Sequence, residues 1–114
     1  MKGLRVSIVI TLVVLSIQGW TGDYANLFAT FPTGAVSATL VGFWQAVGSS
    51  GALVLYHAVE AILLLTLSFV TLALSFRRRT GRLFSTLGTP SVISAAIGGI
   101  LFALSGFQND ANSA

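Results

Sequence analysis

The chain has 114 residues, 54% of them hydrophobic and only 8% charged, with six basic and three acidic side chains and a formal net charge of +3. A soluble domain carries about a quarter charged residues, so this composition cannot cover a globule in water, and lipid must act as part of the solvent. The absence of cysteine removes disulfides, thiolate metal sites and cysteine nucleophiles. The basic residues sit only at Lys2/Arg5 and between Arg77 and Arg82, beside apolar runs, which fits membrane topology and not a nucleic-acid partner.

The first apolar run, Leu4 to Trp20, follows Lys2 and Arg5 and is interrupted only by Ser7, Thr11, Ser16 and Gln18. At about 1.5 Å per residue it is roughly 26 Å long, enough to span. A cleaved signal peptide is the competing reading, with Val6 to Ile17 as its apolar core. Small residues are poorly placed for cleavage, since Ile17 lies two before Gly19 and Trp20 two before Gly22, so the uncleaved helix is favoured.

Residues 21–51 contain no Lys or Arg and read as an outer loop, opening with a turn at Gly22-Asp23-Tyr24-Ala25-Asn26 and closing with another at Gly48-Ser49-Ser50-Gly51. Phe31-Pro32-Thr33-Gly34 is a further break, and Ala35 to Val47 is apolar but too short to span, which predicts an interfacial or re-entrant helix. Trp20, Tyr24, Phe28, Phe31, Phe43, Trp44 and Tyr56 gather near this side as an aromatic belt would.

The strongest span is Ala52 to Phe76, roughly 37 Å as a helix and ended by Arg77-Arg78-Arg79. Residues 77–90 then read as a basic cytoplasmic loop. Thr89 serves as N-cap and Pro90 as the first helical residue of a third span over 91–107, with Gln108-Asn109-Asp110-Ala111-Asn112 ending it in water. The expected fold is an all-α membrane bundle of three spans in one domain, with a short helix in the outer loop. Lys2, Arg5, Arg77, Arg78, Arg79 and Arg82 act as topology anchors. The positive-inside rule puts the N-terminus and the arginine loop in the cytoplasm, and the long loop and C-terminus outside the cell membrane. Contact of the arginines with anionic headgroups is a secondary role.

On the second span, steps of about 100° per residue place Glu60, Ala61, Leu64, Ser68, Thr71 and Ser75 on the same face as His57. Such a stripe should face protein or a water-filled cavity, because a carboxylate in hydrocarbon is unfavourable by about 3 kcal/mol or more. His57 and Glu60 meet on that face roughly 8 to 12 Å below the outer end of the helix. They are candidates for a proton-handling or ligand site, since an imidazole changes charge near neutral pH. The structural alternative is a polar link between helices. His57 could also be an axial haem ligand, although the chain holds a single histidine and its only methionine is Met1. His-x-x-Glu is half a metal site, and whether a metal binds is open.

Ser7, Thr11 and Gln18 share a face of the first span and are candidate partners for the stripe. On the third span Ala95, Gly99 and Ala103 form a small-residue stripe, with Ser94, Gly98 and Gly106 nearby. It suits close helix packing either within the monomer or between copies. Asn109 to Asn112 lacks the alternating ligands of a cation loop. No phosphate loop, nucleophile elbow or metalloprotease helix is present, so an enzymatic role is disfavoured.

Asn26-Leu27-Phe28 before Pro32, His57 at the start of a long helix, and Ser105-Gly106-Phe107-Gln108-Asn109-Asp110 after the last one together resemble small uncharacterised prokaryotic multi-pass membrane proteins. That resemblance implies a helical membrane bundle without an assigned activity, continued by a fourth helix. The length is also similar to that of small multidrug transporters, which place a membrane glutamate in their first helix, whereas Glu60 lies in the second long helix here.

The favoured reading is a three-span subunit or accessory protein of a larger membrane complex, in contact with the lipid bilayer and with other subunits or its own copies. The alternative is an oligomeric proton- or cation-coupled transporter using Glu60 and His57. A second alternative is a haem- or quinone-associated electron-transfer subunit.

Overall fold

The computed structural model describes residues 2–31, 36–76 and 79–104, with helical but no strand segments among them. Four helices follow in chain order: α1 (Lys2–Phe28), α2 (Leu40–Ser49), α3 (Ala52–Ser75) and α4 (Arg79–Leu104). Lys2–Phe28, Ala52–Ser75 and Gly81–Leu104 are each long and apolar enough to cross a membrane. At about 1.5 Å per residue each reaches or exceeds the roughly 30 Å of a bilayer core. The molecule measures 48 × 25 × 22 Å, the proportions of an upright bundle.

Helix α3 is central: α1 packs along it, α4 packs along it, and the short α2 leans on α3 and α4. The pairing of Ser7 with Thr71 and of Gln18 with His57 runs α1 antiparallel to α3. Helix α4 packs back beside α3, where Gly81 lies against Ser75. The Arg82 guanidinium closes this corner by donating to the Phe76 carbonyl at 3.0 Å, at the C-terminal end of α3.

Polarity in this bundle is turned inside out. Buried side chains include Ser7, Thr11 and Thr21 of α1, Glu60, Ser68, Thr71 and Ser75 of α3, and Ser85 and Thr89 of α4. Val9, Val13, Val59, Ile62, Leu63, Leu87 and Leu101 face outward. Such a surface suits hydrocarbon, where apolar side chains need no shelter and polar ones do. An apolar cluster of Ala25, Val47 and Val54, with Phe31, Phe43 and Trp44 against it, lies under α2. Exposed aromatic rings stack up α1 at the same end, Trp20 on Tyr24 (5.7 Å) and Tyr24 on Phe28 (4.5 Å).

Three helix bounds differ from those read in the sequence. Helix α1 does not stop near residue 20 but runs on to Phe28, through the expected turn. Burial of Thr21 and Ala25, together with the aromatic stack, outweighs the roughly 1 kcal/mol by which Gly22 disfavours helix. Helix α2 covers Leu40–Ser49, not 35–47, because the Thr39 side chain accepts from the Gly42 N–H at 3.0 Å and fixes the N-cap there. Helix α4 begins at Arg79, so most of the expected 77–90 loop is helical and Pro90 is internal.

Thr89 is therefore not an N-cap; it is buried in mid-helix. Proline removes one helical hydrogen bond, and hydroxyls on either side supply local ones: Thr86 donates to the Arg82 carbonyl, and Ser91 to the Leu87 carbonyl at 3.0 Å. Arg77, Arg78 and the Ser105 to Asp110 motif lie outside the described residues.

The α2–α3 junction depends on Gly51, which has φ 99° and ψ 170°. That combination is open essentially to glycine alone. Ser50 stabilises the approach by donating its hydroxyl to the Ala46 carbonyl at 2.7 Å. Replacing Gly51 by alanine should lower stability by about 1 to 3 kcal/mol, read as an earlier midpoint in detergent-titrated unfolding, whereas Gly48→Ala, with open space at its Cβ position, should lower it far less.

Candidate functional site

Two groups of polar side chains tie α1 to α3. Near the arginine end, Ser7 and Thr71 hydroxyls lie 2.6 Å apart and Thr11 and Thr71 hydroxyls 3.1 Å apart, while Thr11 donates to the Ser7 carbonyl at 2.8 Å. Ser68 and Ser75 complete the inner face of α3, with Ser75 wholly buried and donating to its own helix at Leu72. These side chains are short, so the helices can approach closely while the hydroxyls of Ser7, Thr11 and Thr71 satisfy one another.

The second group lies toward the α2 end and contains the charge. Thr21 donates its hydroxyl proton to Glu60 Oε2 at 3.0 Å and sits 3.1 Å from His57 Nδ1. The Gln18 backbone carbonyl, at 3.2 Å, is a second acceptor for the same hydroxyl. A hydroxyl has one proton to give, so with that proton on Glu60 it receives one from His57 Nδ1–H. On the far side of the ring, Gln18 Nε2 lies 3.2 Å from His57 Nε2 and donates to it. The chain of donors runs in one direction: Gln18 amide to imidazole, imidazole to Thr21, Thr21 to carboxylate.

Glu60 is 6% exposed and His57 is half-buried. The ring passes so near α1 that a Cβ on Gly22 would stand 2.8 Å from His57 Cε1. Only glycine leaves room for it at this height. The Gln18 Oε1 atom is buried and has no hydrogen-bond partner among the described residues.

Of the residues that the sequence points to, the fold brings His57 and Glu60 together through Thr21, and gathers Ser68, Thr71 and Ser75 on the same inner face of α3. The small-residue stripe is split: Ala103 is buried, but Ala95 and Gly99 face outward. Lys2, Arg5 and Arg82 are exposed at the end where α3 gives way to α4. Sequence spacing does not single out Thr21 and Gly22, because the Gly22-Asp23 pair reads as a turn. The available signal is that Thr21 continues the Thr11 and Gln18 face by three residues. Ser85 of α4 escapes notice for the same kind of reason, since the basic stretch around it reads as a loop, and Thr89 reads as an N-cap and not as a buried side chain.

A haem-ligand role for His57 would break a hydrogen bond, since both ring nitrogens are engaged. Among the described residues no third His, Cys, Asp or Glu joins the pair to make a metal cluster. The chain matches no family model, no curated protein and no solved structure.

Thr21 is the joint of the site. Thr21→Val should remove the hydroxyl at nearly constant volume and destabilise the bundle by about 1 to 2 kcal/mol, because Glu60 and His57 lose a shared partner in a dry setting. Thr21→Ser should stay close to the parent. Nitrogen NMR of labelled imidazole should report the Nδ1–H tautomer in the parent and lose that preference in the valine variant.

Proposed function

We propose that this chain is a small three-span membrane protein that holds an exchangeable proton on Glu60, with His57 and Thr21 as the route by which the proton reaches it. The observation that carries this reading is the Thr21 hydroxyl set between imidazole and carboxylate, 3.1 Å from one and 3.0 Å from the other. A proton arriving at His57 Nε2 lets the ring release its Nδ1 proton to Thr21, while Thr21 passes its own to Glu60 Oε2. The ring ends neutral with its proton on Nε2, the hydroxyl is restored and the carboxyl is neutral. One proton has been taken up. Gln18 can then turn its amide over, so that its buried Oε1 accepts from Nε2–H. A polar atom without a partner in one protonation state gains one in the other.

The topology that accompanies this reading puts Lys2, Arg5 and the arginine corner on the cytoplasmic side, with α2 and its aromatic surroundings on the other. Intramembrane carboxylates with a partner commonly mark proton or ion routes, which supports the same assignment. Infrared difference spectra of the reconstituted protein should contain a carboxylic C=O band that rises on acidification, vanishes in Glu60→Gln and forms more slowly in His57→Ala. A spectrum without any Glu60-dependent band would remove the reading.

The outward position of Ala95 and Gly99 favours a second element, association through α4 with a partner helix or another copy of the chain. The accessory-subunit reading rests on this face and not on the polar stripe, whose partners lie within the chain. Gly99→Leu should reduce recovery of the associated species in mild detergent while leaving the Glu60 band unchanged.

A further inference from the structure

Glu60 sits between two differently built halves of the bundle. Above it, His57 and Gln18 are only half-buried and pair with each other between α3 and α1. Below it, toward the arginine end, the interior is lined with hydroxyls: Thr71 with Ser7 and Thr11, then Ser75, and from α4 Ser85 and Thr89. Ser85 Oγ is buried and has no partner among the described residues, so this lining has hydrogen-bonding capacity left for a water or a passing proton.

Between the two halves lies an apolar layer. Leu64 is the only buried residue of α3 between Glu60 and Ser68, and it is about 6 Å along the axis from each of them. The pairing of Thr11 with Thr71 and of Gln18 with His57 brings Val14 of α1 to nearly the same height, so the layer is apolar from both helices.

Resting on the reading of Glu60 as a proton site, we propose that the hydroxyl-lined half is a second access path to that carboxyl from the arginine end, and that Leu64 is the barrier that keeps the path closed. A chain of hydroxyls and intervening waters moves a proton when each oxygen accepts one and releases its own, so every member is restored and one net proton advances. An apolar constriction stops this by excluding water. The other titratable groups with described side chains are exposed: Lys2, Arg5, Asp23 and Tyr24 of α1, Tyr56 of α3 and Arg82 of α4, while α2 has none. Among the described residues Glu60 is thus the only acid that the path can reach, and with the barrier intact it exchanges through His57 alone.

The test is proton flux into liposomes that contain the full chain and a trapped pH-sensitive dye, driven by a potassium diffusion potential. Leu64→Ser should raise the flux at least about tenfold over the parent, equivalent to about 1.4 kcal/mol of barrier. Leu64→Phe should leave it at the parent level, and adding Glu60→Gln to Leu64→Ser should return it there. Thr71→Val in the Leu64→Ser background should lower it. Leu64→Ala, a smaller change with the same expected direction, replaces the serine variant if that variant loses helicity by circular dichroism. Loss of helicity in both would make Leu64 a packing residue and overturn the proposal. So would an unchanged flux in a folded variant, or a raised flux that survives Glu60→Gln, which is a leak that bypasses the acid. If the Glu60 infrared band is present in the parent while the flux result is negative, only the path falls; if the band is absent, the path falls together with the proton-site reading.

Discussion

Hydrocarbon offers no hydrogen bonds, so a helix that carries a carboxylate, an imidazole and several hydroxyls on one face must find partners for them in other helices. Helix α3 is that helix. Its inner face, from Glu60 through Ser68 and Thr71 to Ser75, is buried against neighbours whose facing residues are short or hydroxylic: Ser7, Thr11 and Thr21 on α1, and Gly81, Ser85 and Thr89 on α4. Between apolar helices in lipid there is little hydrophobic drive to associate, and the polar contacts with close packing supply specificity in its place. The register of α1 on α3 follows from two fixed points, Thr71 at one end and the His57–Thr21–Glu60 group at the other.

This dependence joins stability to chemistry. The hydroxyl that satisfies the carboxylate is also the one that reaches the imidazole, so the site cannot be rearranged without loosening α1 from α3. Gly22 belongs to the same arrangement, because the ring occupies the volume that a side chain there would take. Stripping a buried acidic group of its partner is strongly unfavourable, which keeps the geometry narrow.

The part of this arrangement that is legible in the sequence is the part with a regular period. His57, Glu60, Leu64, Ser68, Thr71 and Ser75 recur at helical spacing inside an uninterrupted apolar run, and the 100° rule is enough to put them on one face. Local breaker residues mislead where tertiary contacts decide. Gly22-Asp23 and Thr89-Pro90 both look like boundaries, yet Thr21 and Ala25 in the first case and Ser85 and Thr89 in the second are buried against the rest of the bundle, and the helices continue. A propensity penalty of about 1 kcal/mol for glycine is small beside the loss of such contacts, and proline is tolerated in apolar helices whose freed groups find other partners. The small-residue stripe of α4 is legible as a stripe, but spacing alone does not say which neighbour it faces, and of its three members only Ala103 turns inward.

The distribution of partners also separates the roles that the sequence leaves open to His57. An axial ligand needs a ring nitrogen directed at a metal, and here Nδ1 and Nε2 each already face a polar side chain. A relay needs the opposite, two nitrogens in contact at once, one to receive and one to release. Both ring nitrogens have such contacts, and in the proposed relay a turn of the Gln18 amide would make its Oε1 the acceptor for the other tautomer. The outer face of α4, with Ala95 and Gly99 uncovered, stands apart from this chemistry. In the proposed reading the proton site therefore lies inside the bundle and the association face outside it, with no residue required to serve both.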